Sequence, residues 1–202
     1  YYDSYYDQKK IDGVPVRNVY VGLKRDLLYP DQYEHLEVKD EQGNTLVFKK
    51  QESIFDKIAA TYQAQLTTNQ GTPIVEWDKC QTTLSDIDTS DLHFVRLPLN
   101  HIVIDLDLKN AAGEKDLALN RQEAQKYPET YSEISKSGNG IHLHYYYDGD
   151  VSKLAPTIKE DVEIKVFTGK QSLRRKLTLC NDKDIVHIST GMPYKEESLT
   201  VN

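Results

Sequence analysis

Three observations predict an α+β fold for this 202-residue chain, with helices packed on a largely antiparallel sheet. Short apolar runs alternating with polar residues crowd the second half, in "HIVIDLDL", "GIHLHYYY", "DVEIKVF", "RRKLTLC" and "DIVHIS". Helical periodicity is confined to two segments. Hydrophobic residues make up 38% and charged residues 28%, enough for one core beneath a strongly solvated surface.

Taken in order, "YYDSYYDQKK" over residues 1–10 reads as a poorly ordered tail, and residues 11–202 as a single domain. "VPVRNVYVGL" is an early strand, and "HLEVKDEQGNTLVFKK" a hairpin turning at Gly43-Asn44. "SIFDKIAATYQAQL" is a helix capped by Ser53, with Ile54, Ile58, Tyr62 and Leu66 at four-residue spacing. "TPIVEW" reads as a strand and "TTLSDIDTSDLHF" as loop and turn. "EKDLALNRQEAQKY" is a helix stopped by Pro128, and "TYSEIS" opens the strand-rich series. The change of texture divides the domain into an N-terminal α/β module over about 11–97 and a second module over about 98–190.

Composition narrows the function classes. A formal net charge of -7 argues against generic nucleic-acid adhesion. Yet Lys165, Lys170, Arg174, Arg175 and Lys176 follow one another with no acid among them, a cluster suited to phosphate or to a solvated edge strand. No apolar run approaches the roughly 20 residues that span a bilayer. No signal-peptide pattern opens the chain, and the first residue is not Met, so the chain reads as an excised piece of a longer, cytoplasmic protein. Cys80 and Cys180 are far apart, which excludes a zinc knuckle and fits a reducing compartment better than a disulfide.

Alternation assigns faces. In "HIVIDLDL", His101, Val103, Asp105 and Asp107 share one face, while Ile102, Ile104 and Leu106 face a core. Two carboxylates on one strand face repel each other, a cost that a bound Mg²⁺ or Mn²⁺ offsets. Glu163 shares a face with Lys165 and Phe167, and would complete a three-carboxylate site able to bridge two metals. "SGNG" supplies flexible backbone at Gly138 and Gly140 and N–H groups for an anion. After it, His142, His144 and Tyr146 share a face, opposite Ile141, Leu143 and Tyr145. Arg174 and Lys176 lie on the polar side of their strand, whereas Arg175 falls with Leu173, Leu177 and Leu179.

These segments admit several readings. His142-Leu143-His144 matches the paired metal-binding histidines of replication-initiator endonucleases, but no helix bearing a nucleophilic tyrosine follows. Glu163-Ile164-Lys165 matches the Glu-x-Lys half of restriction-like nuclease sites and leaves "SGNGIH" unexplained. A non-catalytic nucleic-acid-binding domain could stack bases on "YYY" at 145–147, against the repulsion of three acids.

Taken together, "IVIDLD", "SGNGIH" and "VEIKVF...LRRKLTLC" resemble the archaeo-eukaryotic primase superfamily, in particular phage and mobile-element primase-polymerase domains, over roughly Leu97 to Thr190. The resemblance implies an RNA-recognition-like (ferredoxin-like) catalytic sheet and a nucleotidyltransferase that makes or extends primers. It makes Asp105, Asp107 and Glu163 ligands for two Mg²⁺ or Mn²⁺ ions and His142 the histidine that meets the incoming triphosphate. Ser137, Gly138 and Gly140 would shape the phosphate turn, with Lys165, Arg174 and Lys176 neutralising phosphate charge. It assigns no role to His144, which reads as structural. Implied partners are dNTP or NTP, single-stranded template and primer, and a helicase module or partner, in a bacterial host cytoplasm.

Overall fold

The computed structural model describes residues 10–11, 14–15 and 46–196. The chain forms two compact units, Tyr1–Glu37 and Val38–Asn202. In the first, β1 (Lys10–Ile11) pairs antiparallel with β2 (Val14–Pro15). The rest of the expected early strand and the Gly43-Asn44 turn lie outside the described residues, as does the tail apart from Lys10.

The second unit is mixed α and β, as predicted, and is organised by a sheet in the order β11-β7-β5-β9-β8. Its strands are β5 (His101–Leu106), β7 (Ile141–Tyr147), β8 (Thr157–Lys159), β9 (Val162–Lys165) and β11 (Val186–Ile188). β6 (Ser132–Ile134) pairs with the first half of β7, on the flank where β11 pairs with the second half. Only the β11–β7 pair is parallel among the described pairings of this sheet.

The faces follow the alternation. Ile102, Ile104, Leu106, Ile141, Leu143, Tyr145, Tyr147, Val162 and Ile164 form one core with Ala124 of α2 (Leu117–Ala124). Burying such side chains stabilises by about 1.5–3 kcal/mol each. Val103, Tyr131 and Phe167 lie on the opposite face and join a second core with Phe55, Val95 and Leu173. That core is roofed by α1 (Ile54–Ile58) and a three-stranded antiparallel sheet in the order β10-β4-β3. Here β3 is Ala64–Leu66, β4 is His93–Val95 and β10 is Leu173–Arg175. This sheet takes strands from both sides of residue 98, so the change of texture there is not a break between packed units.

Several elements are shorter than predicted. Ser53 caps α1 by accepting from the Asp56 N–H, but the helix ends at Ile58. Its buried residues are Phe55 and Ala59, while Ile58 of the expected stripe is 40% exposed. Residues 64–66 pair with β4 instead of continuing the helix, so sheet formation overrides local periodicity. "TPIVEW" is no strand. The Gln65 side chain takes the place of a strand partner, donating to the Val75 carbonyl and accepting from its N–H. α2 starts three residues later than predicted, where Asp116 accepts from the Leu119 N–H, and it ends before Pro128. Both cysteines are buried and free. No helix of the described residues is long and apolar enough to cross a membrane.

Candidate functional site

Register across the central sheet sets the site. Asp105 stands opposite His142 on one side and Glu163 on the other, and His142 stands opposite Glu133. Directly opposed residues share a face, so Glu133, His142, Asp105 and Glu163 form one row across β6, β7, β5 and β9. Exposure climbs along it, from 1% at Glu133 through 5% at His142 and 6% at Asp105. At Glu163 the side chain is 59% exposed. The gradient arises because the roofing sheet covers the β6 side and leaves the β9 side open.

At the open side lies a pocket of about 220 Å³ lined by Asp105, Asp107, His142, Lys165 and Arg174, together with Lys115, Ser135, Lys136, Ser172 and Leu173. Five residues expected from sequence thus meet in one place. Lys165 Nζ lies 2.7 Å from Asp105 Oδ2, and Lys115 Nζ 2.7 Å from Asp107 Oδ2. The other oxygens, Asp105 Oδ1 and Asp107 Oδ1, are buried and have no hydrogen-bond partner among the described residues. Each aspartate therefore has one oxygen held by a lysine and one without a hydrogen bond, Asp105 Oδ1 facing His142 Nε2 at 3.4 Å, a donor set that fits a divalent cation. Burial would raise the Asp105 pKa, but His142 and Lys165 outweigh it and hold the carboxyl well below the usual range. Burial would likewise lower His142, yet the Asp105 and Glu133 carboxylates hold its imidazolium up at about 9.

The glycine turn fits closely. Gly138 adopts φ +82°, a conformation that other residues enter with strain. A Cβ on Gly140 would sit 2.5 Å from Asp107 Oδ1 and 2.6 Å from Ser135 Oγ, so a side chain there would displace the aspartate. Ser137 Oγ lies 3.0 Å from Ser135 Oγ and accepts from the Asn139 N–H.

Not every expected residue joins the pocket. Glu163 is Asp105's neighbour in register, but it lines a larger adjoining pocket of about 500 Å³ and lies 3.7 Å from Lys165 Nζ. Lys176 is exposed and is not among the lining residues. Lys170 pairs with Glu76 at 3.1 Å. Arg174 faces the pocket as alternation predicts, and Arg175 is buried beneath it.

Arg175 belongs to a second constellation under the roof. Its Nε donates to both Glu133 oxygens at 2.8 and 2.9 Å, and Nη1 lies 2.6 Å from Asp56 Oδ1. Tyr131 OH donates to Glu133 Oε2 at 2.7 Å. Arg175, His142 and His144 together overcome burial and keep Glu133 ionised, its pKa well below normal. His144 is fully buried, with Nδ1 2.9 Å from His101 Nε2, and burial lowers the pKa of both rings. Sequence reasoning missed Glu133. The one signal was that Arg175 fell on an apolar face, where a buried cation needs a buried acid.

Among the described residues, one group of three metal-ligating side chains has its ligand atoms within 4.8 Å of one another, and it consists of Glu133, His142 and His144. The Asp105, Asp107 and Glu163 carboxylates are not drawn that close. Known protein families and curated proteins provide no match to the chain.

Proposed function

We propose that the chain is a template-directed nucleotidyltransferase of the primase-polymerase kind, built on an RNA-recognition-like sheet. The observation that carries this reading is the pocket where Asp105, Asp107, His142, Lys165 and Arg174 meet from four separate strands and the segment after β5. Its three lysines, Lys115, Lys136 and Lys165, and Arg174 suit a polyanion, while the two aspartates suit the cations that accompany a triphosphate.

Asp105 and Asp107 would offer their Oδ1 oxygens, neither of which has a hydrogen bond among the described residues, to divalent Mg²⁺ or Mn²⁺. Glu163 joins them as a third ligand only by turning inward across the sheet face. Bound there, such ions supply activation of a primer 3′-hydroxyl and stabilisation of departing pyrophosphate. His142 would donate from Nε2, the nitrogen on the pocket side, to a phosphate oxygen. Lys165 and Lys115 would release the aspartates and turn to phosphate. Gly138 and Gly140 let the 137–140 turn approach closely. Arg174 would hold the outer phosphates, and the larger adjoining pocket gives room for primer and template. A bacterial cytoplasm and a helicase partner or module accompany this reading as proposals.

A second reading, a metal-dependent nuclease, is favoured by the 2.7 Å Lys165–Asp105 contact, since a lysine beside a metal-binding acid can orient an attacking water. One assay separates the two. The chain is incubated with dNTPs or NTPs, Mg²⁺ or Mn²⁺, and single-stranded templates with and without primer. Nucleotide incorporation supports the first reading. Cleavage without incorporation replaces it with the second.

A further inference from the structure

His142 presents two different nitrogens to two different places. Nε2 faces Asp105 Oδ1 at 3.4 Å on the pocket side. Nδ1 faces Glu133 Oε1 at 3.6 Å, and His144 Nε2 faces the same oxygen at 3.5 Å. Both of these nitrogens are buried and without a hydrogen-bond partner among the described residues. At 3.5 and 3.6 Å neither contact is a hydrogen bond. Two orphaned imidazole nitrogens therefore converge on one carboxylate oxygen across gaps that a proton does not bridge.

Gaps of this size are those a metal ion bridges. Ligands at about 2.0–2.1 Å around a tetrahedral ion stand about 3.3–3.4 Å apart, within a few tenths of an ångström of the two nitrogen–oxygen distances, and the three ligand atoms all lie within 4.8 Å of one another. The groups behind the ligands are also arranged for it. His144 Nδ1 is engaged by His101, Glu133 Oε2 by Tyr131, and His142 Nε2 is turned to Asp105. Outer partners of this kind fix which ring nitrogen carries the proton and orient the ligand. Arg175 Nε donates to Glu133 Oε1 at 2.8 Å, which leaves that oxygen a second lone pair for the ion, and Asp56 shares the guanidinium charge from the other side.

We propose that Glu133 Oε1, His142 Nδ1 and His144 Nε2 bind one Zn²⁺ beneath the roofing sheet. Two imidazoles and a carboxylate select zinc over magnesium, and three protein ligands leave a fourth position for water. The ion shares no ligand atom with the Asp105–Asp107 pair, so the site stands whether or not the chain transfers nucleotides. Its effect on the pocket is to place the His142 proton on Nε2, the nitrogen facing Asp105. His142 is then a fixed donor at the pocket floor.

The test uses the whole chain, stripped with a chelator and titrated with Co²⁺ as a spectroscopic substitute for Zn²⁺. Expected are one Co²⁺ per chain, the intense visible bands of a tetrahedral ion, and displacement by one equivalent of Zn²⁺. His144→Gln should weaken binding at least about 100-fold, whereas Asp107→Asn should change it less than about twofold. Should His144→Gln fail to fold, the Co²⁺-loaded wild type still decides. Its proton NMR spectrum must then show two paramagnetically shifted, exchangeable imidazole N–H signals, and their absence overturns the site. So does weak octahedral absorption that Asp107→Asn abolishes, which assigns the ion to the carboxylates.

Discussion

Toward β9, the central sheet presents Asp105, Lys165 and Glu163 to pockets open to solvent. Toward β6, the same face carries Glu133 and His144, sealed under a second sheet whose strand β10 supplies Arg175. Both regions are built from charged residues in adjacent registers, and only the roof separates them. In the open region each charge has a movable partner, since lysines lie on one oxygen of each aspartate and a ligand can replace them. In the sealed region the partners are fixed, and Glu133 is held by Arg175 and Tyr131 at once. Position along one row thus sets whether a carboxylate has exchangeable partners at a solvent-open pocket or, like Glu133, fixed ones, with Oε1 turned to His142 and His144. His142 stands at the junction with one nitrogen in each region.

The sharpest way to break this contrast is to remove a partner from the sealed side. Arg175→Met strands Glu133 as an unpaired buried charge and should cost about 3–5 kcal/mol, read as a lowered denaturant midpoint. Lys165→Met, on the open side, should cost under about 1 kcal/mol, because its partner regains water. Equal losses would erase the distinction.

The next effect is on pH dependence. In chelator-treated protein the His142 pKa is raised to about 9, with Asp105, Glu133, Lys165 and His144 as its charged or titrating neighbours. A raised folded-state value means that this stabilisation is complete below about pH 6.5 and is lost as pH climbs through 9. Stability should therefore fall over that window by at most about 1.4 kcal/mol per pH unit. In His142→Gln the slope should flatten, as followed by urea melts at several pH values.

A smaller effect is expected at the glycine turn. Gly140→Ala pushes on Asp107 and should lower nucleotide incorporation about tenfold, equivalent to about 1.4 kcal/mol, with little change in melting temperature. The smallest contrast lies within β10 and its continuation. Arg174→Ala should raise the KM for nucleotide several-fold, about 1 kcal/mol, and Lys176→Ala should leave it within about twofold.

Alternation made the strand faces legible before any register was known. It separated Asp105 from Ile104, His142 from Leu143, and Arg174 from Arg175, because a period of two carries that information directly. The sequence could not show which strands are neighbours. Glu133 sits in an unremarkable "TYSEIS", and it acquires meaning only when β6 aligns it with His142 and β10 brings Arg175 over it. Helix ends are hidden from local periodicity for a related reason. The stripe of Ile54, Ile58, Tyr62 and Leu66 is locally consistent, but residues 64–66 gain more by pairing with β4. Glu163 stands beside Asp105 because β9 pairs with β5, and its outward exposure depends on where the roof ends.

The central claim is that the open pocket binds a metal–triphosphate through its two aspartates. Calorimetric titration of dNTP into chelator-treated protein, with and without Mn²⁺, tests it most directly when wild type and Asp105→Asn are compared. The account predicts triphosphate binding that requires Mn²⁺ in the wild type and is lost in the variant while the fold is retained. Binding that ignores the metal, or that survives Asp105→Asn unchanged, would contradict it.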